Sequence, residues 1–176
     1  MPNLSKLYPN LLFLILLPNI IFSQNFLKTS GRNIINDLGD TVILRGIGLG
    51  GWMVQEGYMM APGGFSGTQY QIRDRITELI GEEETEKFYN NWLKNHVRKI
   101  DIDSLKSWGF NLVRVPIHYN LFTVPIEEEL FPGSYTEVVK GYQLLDSLLE
   151  WCKANEMYMM IDLHAAPGGQ GYNADI

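Results

Sequence analysis

Charged and aromatic side chains stand at the ends of three apolar segments of this 176-residue chain. Arg114 interrupts the apolar run that leads to His118, and His164 directly follows the run from Met157 to Leu163. Guanidinium, imidazole and carboxylate groups that converge on one place are candidates for binding or proton transfer. Whether these side chains form one site depends on where the three segments lie in the fold.

The arginine is the most informative of these residues. In a strand, side chains alternate between faces, so Arg114 shares a face with Leu112 and Pro116. A guanidinium among apolar neighbours needs a carboxylate partner. The sequence therefore predicts an acidic side chain across from Arg114, and the alternative is an edge strand on which Arg114 is solvated.

The last apolar segment ends with Asp162 and His164 on one face, and His164 lies at the carboxyl end. Parallel barrels place their binding and catalytic residues at this end of the strands. A histidine at a strand end is by itself more often a structural residue. The presence of Arg114 and His118 at the neighbouring strand end favours a site instead.

A third group of residues, Trp52 and Glu56, follows the glycine-rich segment Gly46–Gly51. An indole face beside a hydrogen-bonding carboxylate is suited to a sugar ring. Tyr119 adds aromatic surface after the second strand. For any single aromatic residue, packing within a loop is the simpler interpretation.

The elements that position these residues alternate along the chain. Apolar runs predict strands, periodic and polar stretches predict helices, and the turn-forming residues 37–40 predict a hairpin before the first strand. Cys152 falls on the buried stripe of the last helix, so we predict a structural role for it. The order predicts an α/β fold with parallel strands. The predicted strands are Val42–Ile47, Phe110–Ile117 and Met157–Leu163, and the predicted helices are Gln69–Lys99, Asp101–Trp108 (Asp101 as N-cap) and Val138–Cys152.

Composition narrows the function classes. The formal net charge is −6, and Lys and Arg are not clustered, which gives no reason to expect nucleic acid. A single cysteine excludes an intrachain disulfide. Residues 1–23 resemble a secretory signal with cleavage near Ser23. Their unbroken apolar run is far shorter than the roughly 20 residues of a membrane-spanning helix, so we expect a secreted protein.

Three ordered motifs resemble those of glycoside hydrolase family 5, the cellulase family. They are Leu44–Glu56, Gly109–Ile117 and Ile161–Gln170, and the resemblance extends over residues 34–173 or so. The Gly-Gly-Trp and Asp-Leu-His-Ala-Ala-Pro-Gly segments are most similar to the β-1,3-glucanase-like members. His118 stands where those members tend to have glycine and resembles the cellulase-like ones, which leaves the linkage specificity open.

The resemblance implies a (β/α)₈ TIM barrel, of which residues 24–176 supply strands one to three after an N-terminal β-hairpin. It implies a retaining mechanism with two glutamates at the ends of strands four and seven, and no residue here matches either motif. We therefore expect both beyond Ile176.

By the same resemblance, three of the candidate residues have roles in binding or in supporting the reaction. Arg114 supports the nucleophile, His164 lines the subsite next to the scissile bond, and Glu56 hydrogen-bonds the sugar there. Trp52, His118 and Tyr119 complete the predicted substrate-binding set. The implied partner is a β-glucan, with no cofactor or metal, and the full-length form is expected to be a monomer.

Three other functions are weighed against this one. Gly46–Gly51 with Asp74 fits a dinucleotide fingerprint and would indicate a nicotinamide-dependent oxidoreductase, although Gly57 and Pro62–Gly64 interrupt the helix that it requires. His118 and His164 could belong to a metal hydrolase, but a third ligand is missing. A non-catalytic carbohydrate-binding or degenerate barrel fragment is the main alternative, since binding residues are present and catalytic ones are absent. For these 176 residues alone we expect poor solubility and no turnover.

Overall fold

The computed structural model describes residues 26–60 and 67–168, and the predicted signal segment lies outside them. The chain divides into two compact units, Met1–Ile43 and Leu44–Ile176. None of the helices in the described ranges has the length and apolar character needed to cross a membrane.

The first unit contains the N-terminal hairpin. Strand β1 (Lys28–Ser30) pairs antiparallel with β2 (Asn33–Ile35). A second turn follows, in which the Asn36 side-chain oxygen accepts hydrogen bonds from the backbone N–H groups of Leu38 and Asp40. The turn predicted at residues 37–40 is present, and an antiparallel bridge between Ile35 and Thr41 closes it. The longer strand pairing, β1 with β2, precedes this turn.

The second unit is built on a parallel sheet. Strands β3 (Gly46–Gly48), β4 (Leu112–His118) and β5 (Tyr158–Ala165) lie in that order, and β4 pairs in parallel with both neighbours. This confirms the predicted α/β class with parallel strands. The prediction that the first strand starts at Val42 was wrong, because the Val42 N–H donates to Ile34 O of the hairpin at 2.8 Å.

Helices connect the strands of this sheet. They are α1 (Gly57–Met60), α2 (Gln69–Ile80), α3 (Glu82–Asn95), α4 (Lys99–Ser107) and α5 (Val139–Ala154), with 3-10 turns at Tyr119–Leu121 and Ile126–Glu128. Along the chain, α1 to α4 lie between β3 and β4, and α5 lies between β4 and β5.

Two details of the predicted helices require correction. The helix predicted over Gln69–Lys99 is broken at Gly81, whose φ of 80° lies in the left-handed region that favours glycine. Asp101 is the third residue of α4 rather than its N-cap, and it accepts a hydrogen bond from Arg98 N at 2.8 Å.

The core lies between the helices and one face of β4. Val113, Val115 and Ile117 are buried there. Burial raises the pKa of the Cys152 thiol to about 11, and the side chain is 1% exposed, so its predicted structural role is confirmed. The other buried members of this cluster come from α3 to α5 and the segments beside them: Leu93, Val97, Ile102, Leu105, Leu148 and Met157, together with Trp52 and Met53.

Candidate functional site

The loop after β3 begins with a glycine turn held against helix α3. Gly51 adopts a φ of 74°, which a residue with a side chain rarely adopts. The indole nitrogen of Trp92 donates to Gly51 O at 2.9 Å, and Nε2 of His96 lies 3.3 Å from Gly50 O. The loop that carries Glu56 therefore starts from a fixed point on the helix layer.

Trp52 lies inside the core, which corrects its prediction as a sugar-binding residue. Its side chain is 2% exposed, and its indole N–H donates to Leu93 O at 2.8 Å. A sugar ring stacks on an open aromatic face, and this indole presents none. Trp52 instead joins the β3 loop to helix α3.

Glu56 is the acidic residue at the end of this loop. Its side chain is 11% exposed, and Oε1 lies 3.6 Å from Nε2 of His164. Oε2 accepts a hydrogen bond from the Tyr58 hydroxyl at 3.4 Å. Burial and the charge of Glu56 raise the pKa of Tyr58, and the charge of Arg114 opposes this. The carboxylate is therefore partly desolvated and faces the histidine of the last strand.

The residue before Glu56 is fixed from the opposite side. The backbone N–H of Gln55 donates to Oε1 of Gln69 at 2.8 Å, and the Tyr89 hydroxyl donates to Oε1 of Gln55 at 2.9 Å. These bonds tie the backbone beneath Glu56 to helices α2 and α3.

A small cavity adjoins Gln55 between the loop and the helices. Its volume is about 40 Å³, which is far below the roughly 300–1,000 Å³ of ligand pockets. The Nε2 group of Gln55 finds no acceptor within the described residues. A water needs about 10–15 Å³ of such space, so this cavity suits solvent and not a sugar. Its lining comprises Trp52, Met53, Gln55, Gln69, Tyr89, Trp92, Leu93 and Leu121.

Arg114 meets Asp162 and His164 on the face of the sheet opposite the core. Nη2 of Arg114 donates to Oδ2 of Asp162. Nδ1 of His164 lies 3.1 Å from that same oxygen and 3.1 Å from Nη2 of Arg114. The acidic partner that the sequence requires for Arg114 is thus Asp162, two residues before the histidine.

The two carboxylates of the site lie on opposite edges of one imidazole. Asp162 contacts Nδ1 of His164, and Glu56 faces Nε2. A retaining glycosidase needs its two carboxyl groups about 5–5.5 Å apart with the glycosidic bond between them. The ring occupies the space between these two, so the pair is unsuited to that role. We call the four residues Glu56, Arg114, Asp162 and His164 the strand-end cluster.

His118 and Tyr119 belong to a different group of residues. The His118 ring is 2% exposed, stacks on Tyr119 at 4.9 Å, and meets the edge of Tyr70 at 5.5 Å. Burial lowers the pKa of His118 to about 4, and Nδ1 accepts a hydrogen bond from Asn120 N. His118 is therefore a buried neutral support, which corrects its prediction as a residue that contacts substrate.

Tyr119 remains partly accessible, and its hydroxyl lies 2.9 Å from that of Tyr70. Burial and the bond to Tyr119 raise the pKa of Tyr70, so the Tyr70 hydroxyl stays protonated at neutral pH. Tyr70 was missed by sequence reasoning, because its partner lies 49 positions away and its own segment is polar and helical. The sequence contains no local signal for this pair.

The structure thus brings together Glu56, Arg114 and His164, three of the six predicted site residues, and adds Asp162. The alternation of side chains in a strand had already placed Asp162 and His164 on one face. What the sequence lacked was the register of β4 on β5, which pairs Pro116 with Asp162. That register decides which acid Arg114 can reach.

The dinucleotide hypothesis fails on the helix position. Helix α1 starts at Gly57 and has four residues, so no helix begins within Gly46–Gly51 as the fingerprint demands. As for metals, the described residues contain no group of three His, Cys, Asp or Glu side chains arranged to hold an ion.

Comparison with known proteins gives one family match. The family described as cellulase (glycosyl hydrolase family 5) has a sequence model that matches residues 71–176 of this chain. A beta-xylosidase of Phanerodontia chrysosporium is 37% identical over 147 residues, which are 82% of this chain and 29% of that protein. Glucan 1,3-beta-glucosidase 2 of Saccharomyces cerevisiae is 32% identical over 149 residues, which are 74% of this chain and 26% of that protein.

Among solved structures, the rutinosidase from Aspergillus niger superposes with a TM-score of 0.52 at 23% identity. The match covers 71% of this chain and 34% of the rutinosidase, and it concerns the fold alone. The matched part of the chain spans less than a third of the length of the two relatives, the beta-xylosidase and glucan 1,3-beta-glucosidase 2.

Proposed function

Because the chain belongs to the cellulase family, glycosyl hydrolase family 5, we propose that its parent protein hydrolyses β-glycosidic bonds of a glucan. The observation that carries this proposal is the strand-end cluster, in which Arg114 and His164 of two adjacent parallel strands meet Glu56 of the loop after β3. A barrel presents such residues at the carboxyl ends of its strands. The family match and the glucan 1,3-beta-glucosidase relatives support a glucan as substrate.

The architecture that we propose for the parent is a (β/α)₈ barrel. Residues 44–168 supply its first three strands and their helices, and the remaining strands lie outside this sequence. On β5, Ile161 and Leu163 are 51% and 57% exposed on the side that the helices cover elsewhere. A further helix of the barrel would cover them, as α4 and α5 cover β4.

We propose a retaining mechanism with two glutamates, both outside these 176 residues. One protonates the leaving oxygen and the other forms the glycosyl-enzyme. We propose that Arg114 supports the nucleophile, because its side chain is 40% exposed and its contacts with Asp162 and His164 both involve Nη2, one of three guanidinium nitrogens. The other donors can bind a second carboxylate that enters from the open side.

Glu56 and His164 are the residues that we assign to sugar binding. The Glu56 carboxylate is partly desolvated, and its neighbours Tyr58 and His164 approach only to 3.4 Å and 3.6 Å. A sugar hydroxyl placed between Glu56 and His164 would donate to the carboxylate and make a charge-assisted bond, which is about twice as strong as a neutral one. Tyr119, with Tyr70, is proposed as aromatic surface farther along the same edge.

The test is hydrolysis by the natural full-length protein of β-1,3-, β-1,4- and xylose-based oligosaccharides, with the anomer of the first product followed by NMR. We expect gluco-oligosaccharides to be cleaved with retention. Glu56→Gln should lower kcat/KM about tenfold to a hundredfold, the effect of losing a charged hydrogen bond of about 1.5–3 kcal/mol. The matched control is Glu150→Gln, whose carboxylate is exposed on α5.

Three results would contradict the proposal. Cleavage of xylo-oligosaccharides in preference to gluco-oligosaccharides would shift the substrate class to β-xylosides, in line with the name beta-xylosidase of the Phanerodontia chrysosporium relative. Inversion at the anomeric carbon would exclude the mechanism. Sugar binding without cleavage by the full-length protein would leave the non-catalytic alternative.

Secretion is part of the same proposal. Residues 1–23 match a signal peptide in charge and apolar length, and cleavage near Ser23 would release the chain from residue 24 onward. Amino-terminal sequencing of the exported protein tests this, and a first residue at Met1 would contradict it.

A further inference from the structure

One oxygen atom joins both basic residues of the strand-end cluster. Oδ2 of Asp162 accepts from Nη2 of Arg114 and lies 3.1 Å from Nδ1 of His164. The two basic groups are themselves 3.1 Å apart. Arg114 of β4 and His164 of β5 therefore meet at the carboxylate of Asp162.

The strand register explains why Asp162 serves both neighbours. Asp162 pairs with Pro116, a residue with no polar side-chain group, whereas Arg114 pairs with Met160. The long arginine side chain spans the diagonal between neighbouring positions to reach Asp162. His164 follows two residues later on the same face of β5, within reach of the same oxygen.

Contact with Asp162 restrains both Arg114 and His164, and each needs that restraint to hold one orientation. A free arginine has about 1.5–2 kcal/mol of rotamer entropy to lose on becoming ordered. The tautomer of a histidine is set by the partner of one ring nitrogen, which fixes what the other nitrogen can offer to a ligand. Here Asp162 and Arg114 together define the surroundings of Nδ1, and Nε2 faces Glu56.

We propose that Asp162 is a positioning residue, which holds Arg114 and His164 in the orientation that presents them to the sugar. This inference rests on the proposed function, since the orientation affects turnover only if a sugar binds at Glu56 and His164. Asp162 does not itself touch the reacting atoms. Its contacting oxygen is occupied by the two basic groups, and the His164 ring separates it from Glu56.

The substitution that tests the proposal is Asp162→Asn in the natural full-length protein. The amide keeps the shape of the side chain but removes the charge. We expect kcat to fall about tenfold to a hundredfold with a change of less than about threefold in KM, because misplaced groups chiefly affect the transition state. Asp162→Glu keeps the charge one methylene farther out, and we expect it to recover part of the lost rate.

A matched control exists elsewhere on the chain. Asp103 is 35% exposed against 31% for Asp162, and it also pairs with a cation, Lys99, at 2.7 Å. Asp103→Asn should leave kcat and KM unchanged. A similar loss of rate in both variants would mean a general effect on stability and would overturn the assignment.

A spectroscopic measurement separates this inference from the proposed function. The ¹⁵N signals of the His164 ring, assigned by their loss in His164→Gln, should shift at Nδ1 in Asp162→Asn and stay in place in Asp103→Asn. If they shift and no variant or natural protein cleaves any glycoside, the positioning contact is upheld and the proposed function fails. If the His164 signals do not move while the natural protein is active, Asp162 does not position His164 and the inference is overturned.

Should Asp162→Asn fail to fold, Asp162→Glu provides the same readouts with the charge retained. The displaced carboxylate should still shift the His164 Nδ1 signal and lower kcat by a smaller factor. Unchanged signals and an unchanged rate in Asp162→Glu would overturn the inference as well.

Discussion

Strand β4 has two faces of opposite character. On one, Val113, Val115 and Ile117 pack against the helices and are at most 7% exposed. On the other, the Arg114 side chain is 40% exposed and binds Asp162 of the next strand. Alternation along one strand thus separates the residues that stabilise the fold from those available to a ligand.

The loop after β3 differs from strand β5 in the same respect. Trp52 and Glu56 are four residues apart, yet the indole enters the core and the carboxylate joins the strand-end cluster. A loop has no fixed alternation. The destination of each side chain depends on remote partners such as Leu93 O, which is 41 positions from Trp52.

The largest effect is expected on the packed face. Leu148 is fully buried among the β4 side chains and helices. Leu148→Ala should lower the free energy of unfolding by about 2–5 kcal/mol, because it removes buried surface and leaves a cavity. Denaturant unfolding measures this, with Leu130→Ala, which is 86% exposed, as the control. Equal stability of the two variants would break the distinction between core and surface.

The next effect concerns the end of β4, where His118 is buried and neutral. Its pKa of about 4 in the folded chain is below its ordinary value of 6.5, so protons bind more readily to the unfolded chain. The resulting stabilisation is complete above pH 6.5 and is lost as the pH falls toward 4, by about 2–3 kcal/mol at most.

His118→Asn keeps an acceptor for Asn120 N and removes the titrating group. The unfolding free energy of this variant should vary less between pH 7 and pH 4 than that of the natural protein. Parallel pH profiles for the two proteins would show that His118 is not held neutral by burial.

A smaller effect is expected at Trp52, the residue that separates the two interpretations of the first loop. Trp52→Phe removes the donor to Leu93 O and should cost about 1–3 kcal/mol, because a buried carbonyl loses its partner. Thermal unfolding measures the loss, and the affinity for oligosaccharide should not change. Weaker sugar binding at unaltered stability would restore Trp52 to the ligand surface.

The smallest effect is expected at Cys152. Burial raises the pKa of its thiol to about 11, and the thiolate is the form that reacts. Alkylation at pH 8 should be undetectable in the folded protein and rapid in denaturant, as followed by mass spectrometry. Rapid labelling of the folded protein would show that the packed face opens.

Much of this arrangement follows from the sequence, and the exceptions share one physical cause. The parallel strands, the carboxyl-end location of His164 and the need of Arg114 for an acid follow from local patterns, and the structure agrees with each. The break at Gly81, the burial of Trp52 and the choice of Asp162 as partner depend on packing or on strand register. Such features are decided between segments that are distant in sequence.

The strand-end cluster, as we propose, binds sugar. A crystal structure of the natural full-length protein with a β-linked gluco-oligosaccharide tests this proposal. We expect a sugar ring whose hydroxyls lie within hydrogen-bonding distance of Glu56 and His164, with Arg114 beside a carboxylate next to that ring. A sugar bound only at Tyr70 and Tyr119, with no contact to Glu56 or His164, would contradict the proposal.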